Sequence, residues 1–133
     1  MTTKHSSKRL WHVGMVLAAA AACGLLLTSR ASSQEELDPV KVAADTHKVI
    51  FENRFLRAIQ AKVPSGSLEP KHRHPHGLTI YLADYEVEMK TFPDGKVSRA
   101  QRKFGAVSWS EAVVHEVRNI GKTNSHAVRV ELK

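Results

Sequence analysis

Gly66-Ser-Leu-Glu-Pro-Lys-His72-Arg-His74-Pro-His76 decides how this chain of 133 residues is read. Three histidines fall at i, i+2 and i+4, and on extended backbone residues two apart point to one face. Helical spacing would scatter them, and Pro70 and Pro75 argue against a helix. The stretch is therefore predicted to be a strand that turns one face of imidazoles toward a core. A buried imidazole needs a hydrogen-bond partner or a metal, and histidine is the commonest metal ligand. The competing reading is a solvated histidine-rich loop between prolines.

Outward from this stretch the texture is β-like. Residues 47–52 and 55–63 precede it, separated by Asn53 and Arg54, with a turn at Pro64-Ser-Gly66. Residues 78–83 follow, apolar and rich in Ile, Tyr and Thr. Tyr85, Val87 and Met89 then alternate with Glu86, Glu88 and Lys90, the period of a half-buried strand. Phe92-Pro-Asp-Gly95 reads as a tight hairpin turn, and residues 96–102 return as a polar, edge-like strand. Residues 106–109, 113–117 and 127–132 complete the set. In the last, Val128, Val130 and Leu132 share one face, and Arg129 and Glu131 share the other. Many short strands with regular turns mean a sandwich or barrel. The sequence after residue 33 contains neither a helical stripe nor an internal repeat. A domain of about 100 residues buries roughly two thirds of its unfolded surface, and a small barrel can hold one small ligand.

Residues 66–74 have the form G-x5-H-x-H, and His115-Glu-Val-Arg-Asn119 has the form H-x3-N, preceded by Gly105. This pair of motifs resembles the two-motif signature of the cupin family, and the resemblance runs from about Val49 to Lys133. It implies an all-β fold, a single cupin-type β-barrel (a double-stranded β-helix, or jelly roll) over residues 47–133. It also implies that His72, His74 and His115 hold a metal inside the barrel. His76 has the same strand parity and is a further candidate ligand, set against a rim position facing water. Three neutral imidazoles suit Zn, Cu, Fe or Ni better than Mg or Ca; Zn or Cu is favoured, with Fe, Ni and Mn as the others considered.

The chain departs from the family pattern in specific places. Where the family carries a ligating glutamate, Leu78 or Thr79 stands here, and Asp84 and Glu86 lie too far along to substitute. Ser110 and Ala112 replace the family's proline and glycine, which changes a turn and not the metal. Some metal-binding cupins use three histidines alone. Asn119 is more often structural in the family than a ligand. Glu111 is a candidate base or spare ligand at the mouth, though a solvated carboxylate is the commoner role. Trp109 and Tyr81 are candidates for the cavity wall, and Arg57 and Arg118 for selecting an anion. His47 and His126 lie outside both motifs and are read as ordinary surface or strand-end histidines.

Lys and Arg outnumber Asp and Glu by 20 to 13, but Lys4, Lys8, Arg9 and Arg30 precede residue 34 and no acid does. The rest carries interspersed charge without a basic run or an aromatic platform, which argues against nucleic acid as a partner. Lys4, Lys8 and Arg9 are followed by an apolar run at residues 13–27 and small residues at Thr28, Ser29, Ala31, Ser32 and Ser33, the order of a secretory signal. Residues 1–33 are thus expected to be a signal peptide, or a membrane anchor if uncleaved, and residues 34–46 a tether. The expected location is periplasmic or extracellular. Cys23, the single cysteine, falls in the apolar run, so the mature chain has no thiolate ligand. Ser7-Lys8-Arg9-Leu10-Trp11 distantly resembles a twin-arginine export signal, with Lys8 in place of the first arginine. Lysine and arginine are not interchangeable in paired recognition, so export of the unfolded chain is favoured. The expected function is metal and small-molecule binding by an exported protein. A metal-dependent dioxygenase or isomerase, and a metal-free binding module, are the alternatives. A homodimer is the one protein partner considered.

Overall fold

Short alternating runs separated by turn residues fold as nine strands in the computed structural model, which describes residues 36–133. The expected signal segment lies outside the described residues. The strands are β1 (His47–Glu52), β2 (Leu56–Ala61), β3 (Leu68–His74), β4 (Gly77–Tyr81) and β5 (Tyr85–Phe92). They continue with β6 (Val97–Arg102), β7 (Val107–Ser110), β8 (Val113–Asn119) and β9 (Ala127–Leu132). One sheet has the order β1-β2-β9-β4-β7 and the other β3-β8-β5-β6. All pairings are antiparallel. The all-β expectation holds, and β6 is the edge strand its polarity suggested. The sheets do not join into one hydrogen-bonded ring; the barrel is two sheets enclosing a common interior.

A short helix α1 (Pro39–Val42) lies in the segment expected to be a tether. Proline suits a first helical turn because its missing N–H would be unpaired there anyway. The Asp38 side chain accepts from the Val40 N–H at 3.0 Å as the N-cap. The segment is docked rather than loose. Asp38 also takes the Arg57 guanidinium at 2.7 Å, and the Leu37 carbonyl accepts from the Arg73 N–H at 2.8 Å. With α1 packed against both β1 and β3, it lies across the adjoining edges of the two sheets and covers strand edges that would otherwise be open.

The alternation in β9 left open which face points inward. Ala127, Arg129 and Glu131 are the buried set, while Leu132 is exposed. The register carries this outward arrangement across the sheet. Ala58 pairs with Val130, Val130 with Leu78 and Leu78 with Trp109, whereas Arg57 pairs with Glu131 and Ile59 with Arg129 on the inner side. The interior is thus unusually polar and the outer face of the same sheet unusually apolar. Ile59 is fully buried and, with Val63, Val87, Tyr81 and Ala127, forms the apolar part of the core.

Gly77 permits the closest backbone approach: a Cβ there would run into the Val130 carbonyl. Asn119 ties the ends of several elements. Its amide donates to the carbonyls of Val63 at 3.0 Å and Thr123 at 2.9 Å, and its oxygen accepts from the Gly121 N–H at 3.1 Å. Its role is structural. Asn119→Ala leaves the Thr123 carbonyl without its partner. It also removes one of two bonds at the Val63 carbonyl, which also accepts from the Ser125 N–H, and at the Gly121 N–H, which also donates to the Glu86 carbonyl. It is expected to lower the unfolding free energy by about 1–3 kcal/mol in urea titration. Metal stoichiometry should be unchanged; loss of metal with full stability would show that Asn119 belongs to the site.

Candidate metal centre

The histidine strand owes its geometry to alternation plus one irregularity. His72 and His74 sit two apart on β3 and share the inward face, and His72 lies directly opposite His115 on β8. The ring centroids of His72 and His115 are 4.6 Å apart, those of His72 and His74 4.8 Å, and those of His74 and His115 5.3 Å. The three histidines read from the motifs therefore converge. His76 does not join them. It is exposed beyond the end of β3, stacked on Trp109 at 6.0 Å with planes 24° apart.

His47 corrects the sequence reading. It is 3% exposed, not a surface residue, and its ring lies 5.4 Å from His72 and 6.3 Å from His74. His47, His72 and His74 each offer a ring nitrogen within 4.8 Å of the others, a grouping that fits metal binding. His47 opens β1 in the other sheet, where it pairs with Ala61. No motif spacing points to it; only the topology brings it to the cluster.

Backbone and carboxylate partners set the tautomers. A carbonyl can only accept, so His72 donates from Nδ1 to the Pro70 carbonyl at 2.7 Å and leaves a lone pair on Nε2. His74 Nδ1 meets Glu131 Oε1 at 2.6 Å, again leaving Nε2 free. The Thr46 hydroxyl donates to the Ala43 carbonyl at 3.1 Å, so its oxygen accepts from His47 Nδ1 at 3.0 Å. His115 Nε2 lies 3.0 Å from His72 Nε2. Orientation of this kind, an imidazole held by a carbonyl or carboxylate through its other nitrogen, is the usual support of a metal ligand.

The carboxylates came from positions the motif does not mark. Leu78 pairs with Val130 and Trp109 on the outer side, whereas Thr79 lines the cavity. Glu131 is 2% exposed and divides its oxygens between His74 and Arg57, with Arg57 Nη2 at 2.7 Å. Glu69 is also buried, its oxygen 3.5 Å from His47 Nε2. By simple alternation Glu69 should face away from His72. A bulge between them makes three residues of β3 span two of β8, which puts Glu69 on the histidine face. Arg57 is consumed by Asp38 and Glu131, and Arg118 is exposed with a bond to the Gly66 carbonyl. Glu111 is exposed and accepts from the Trp109 indole at 2.8 Å.

Beside the cluster lies a cavity of about 410 Å³. Val87, Met89, Val113 and Val117 supply an apolar wall, and Thr79, Tyr81, Ser108 and Arg129 a polar one. Tyr81, expected as a cavity residue, is one; its hydroxyl pairs with Ser108 at 2.7 Å. Trp109 lies at the cavity's edge strand and is 54% exposed.

This arrangement of strands has counterparts among solved structures. This chain is similar to a cupin domain from Bordetella pertussis Tohama I, with 24% identity and a TM-score of 0.60, over 65% of this chain and 91% of that one. It is also similar to an RmlC-like cupin family protein with a double-stranded β-helix fold from Methanocaldococcus jannaschii. There the identity is 16% and the TM-score 0.52, over 65% of this chain and 77% of that one. The fold is the cupin fold. No family model and no curated protein matches the sequence.

Burial controls the charge state of the cluster. Loss of hydration pushes His47 down to about 4, with the neighbouring His72 adding to the effect. It pushes His115 down to about 2, and lowers His72 and His74 as well. The imidazoles are therefore neutral at pH 7, the form that binds metal. Burial raises Glu69 to about 7. The stability consequences have opposite signs. An unfolded histidine titrates near 6.5, so as pH falls the unfolded chain takes up protons first and stability is lost, for His47 down through about 4. Glu69 holds its proton between about 4.5 and 7 when the unfolded chain has released it, so acidification helps there. Burial raises Glu131 too, against the pull of Arg57, and four depressed imidazoles outweigh these two raised carboxyls. The urea midpoint of the metal-free protein is expected to fall between pH 7 and pH 5; a flat or rising midpoint would mean that the rings are not buried in neutral form.

Proposed function

We propose that this is an exported cupin that binds a divalent transition metal through its buried histidines and takes a small molecule into the adjoining cavity. The observation that carries the reading is the tautomer pattern. His72 and His74 each spend Nδ1 on a fixed acceptor and turn an Nε2 lone pair toward the other rings. Zinc–imidazole bonds of about 2.0–2.1 Å place tetrahedral ligand nitrogens roughly 3.3 Å apart. The 3.0 Å between His72 Nε2 and His115 Nε2 is close to that. His47, His72, His74 and His115 are the residues that would hold the ion. When bound, it would act as a Lewis acid toward an oxygen of the cavity's occupant. The protein's own residues do the rest. Glu131 and the Pro70 carbonyl orient the rings, and the enclosing sheets limit water.

Zinc titration of single variants tests this. His72→Ala and His74→Ala are expected to abolish stoichiometric binding, and His76→Ala to leave it unchanged. Glu131→Gln should weaken affinity by about 10–100-fold, the effect of losing a group that orients a ligand. His47→Ala and His115→Ala decide which of these two rings completes the set. If the His72 and His74 variants bind zinc as the parent does, the site is wrong, and a metal-free binding role takes its place.

The basic residues Lys4, Lys8 and Arg9 ahead of the apolar run at 13–27 support export. N-terminal sequencing of exported protein is expected to find a start between Ala31 and Gln34. Metal acquired outside the cytoplasm follows intrinsic affinity, which favours copper and zinc for imidazole sites. Elemental analysis of the natively exported protein should therefore find zinc or copper. Stoichiometric iron would overturn the unfolded route and favour an oxygenase.

A further inference from the structure

The cavity wall carries two guanidinium groups that meet no anion. Arg129 is 6% exposed on β9, opposite Thr79 of β4. Its Nη1 donates to the Gly77 carbonyl at 3.1 Å and the Thr79 hydroxyl at 3.3 Å, and its Nη2 to the Pro75 carbonyl at 2.7 Å. Every partner is neutral, Nε has none, and no carboxylate among the described residues lies within 4 Å of the group. Glu131, two residues along the same face, is already committed to Arg57 and His74. Arg102 of β6, half-buried, places its guanidinium carbon 5.1 Å over the Tyr81 ring and has no hydrogen bond or ion pair among the described residues. Thr79 and Tyr81 share the inward face of β4, the first opposite Arg129 and the second under Arg102, and all four residues line the one cavity.

A buried cation surrounded only by neutral acceptors is costly unless something compensates its charge. The one acid in the cavity wall is Glu69, which lies against His47. We infer that the cavity takes a small organic carboxylate, its anionic end on Arg129 and Arg102 and an apolar body against Val87, Met89, Val113 and Val117. The volume of about 410 Å³ is within the range of small-molecule sites. Guanidinium is the side chain best shaped to hold a carboxylate through paired N–H donors. This rests on the proposed cavity-binding role, and not on the metal.

Calorimetry with hexanoate and benzoate, each against its uncharged amide, reads the charge preference directly. It is done on the protein with zinc and after chelation. Each acid is expected to bind at least about tenfold more tightly than its amide, the scale of one charge-assisted hydrogen bond. Arg102→Gln should remove most of that preference and leave amide binding in place. Arg129→Gln risks unfolding a buried position, so the less buried Arg102 carries the test. Equal binding of acid and amide, no binding of any of the four, or a preference that survives intact in Arg102→Gln would overturn the inference. Zinc content of the same samples separates the two readings. Zinc-loaded protein without a carboxylate preference refutes this inference alone, and a preference in protein that takes up no added zinc refutes the metal site alone.

Discussion

Keeping four imidazoles side by side and uncharged, three of them buried and His115 half-buried, is the constraint on which the rest of this structure depends. The three buried rings each place one nitrogen on a fixed partner, because an unpaired polar atom in the interior costs about 1–3 kcal/mol, while His115 meets His72. The partners are drawn from far apart in the chain: Pro70 beside the ring it holds, Glu131 from the last strand, Thr46 from the turn before β1. Glu131 in turn needs Arg57, and Arg57 needs Asp38 at the start of α1. One polar chain thus runs from the entry helix to the cluster. The entry segment is part of the site's support rather than a loose approach to it.

This polar interior explains the inverted sheet. In an antiparallel sheet covered on one side, the inner face is ordinarily the apolar one. Here the inner positions of β2 and β9 include Arg57, Arg129 and Glu131, so the branched residues of β9 and β4 fall outward with Leu78 and Val130. A strand cannot change which face a residue occupies without a one-residue slip, and such a slip of β9 would turn Arg129 and Glu131 outward together. Fully buried Ile59, pairing with Arg129, gives the inner face its firmest apolar contact.

The fold was legible because period-2 alternation, turn residues and the two motif spacings are local signals. Nearly every strand was visible in them, as was the shared face of His72 and His74; that His115 joins them came from the resemblance to the cupin motifs. What was not legible depended on events between strands. His47 stands 25 residues before His72, in a different sheet, and nothing in its own neighbourhood marks it. Glu69 was hidden by the bulge that reverses its parity. Glu131 and Arg129 were visible as a shared face, but alternation alone does not say whether a charged face is inside. The helix α1 was missed because four residues, Pro39–Val42, are too few for a helical stripe to show.

The absent family glutamate changes the charge balance more than the ligand count. With Arg57 set against Asp38 and Glu131, and Arg129 adding a further positive charge, the buried fixed charges near the cluster come close to cancelling. A divalent ion held only by neutral imidazoles would bring its full charge into this interior. A ligating carboxylate would offset half of it; Leu78 faces away and Thr79 offers a hydroxyl. Glu69 is the remaining candidate, and burial keeps it protonated up to about pH 7. A nearby cation favours the ionised form of a carboxyl, so metal binding would draw the Glu69 proton off. Even then the site retains an excess of positive charge, with Arg102 unpaired over Tyr81. The missing glutamate and the unpaired arginines are thus two sides of one electrostatic arrangement: under the proposed role, the negative charge that the barrel does not build in would be supplied by its ligand.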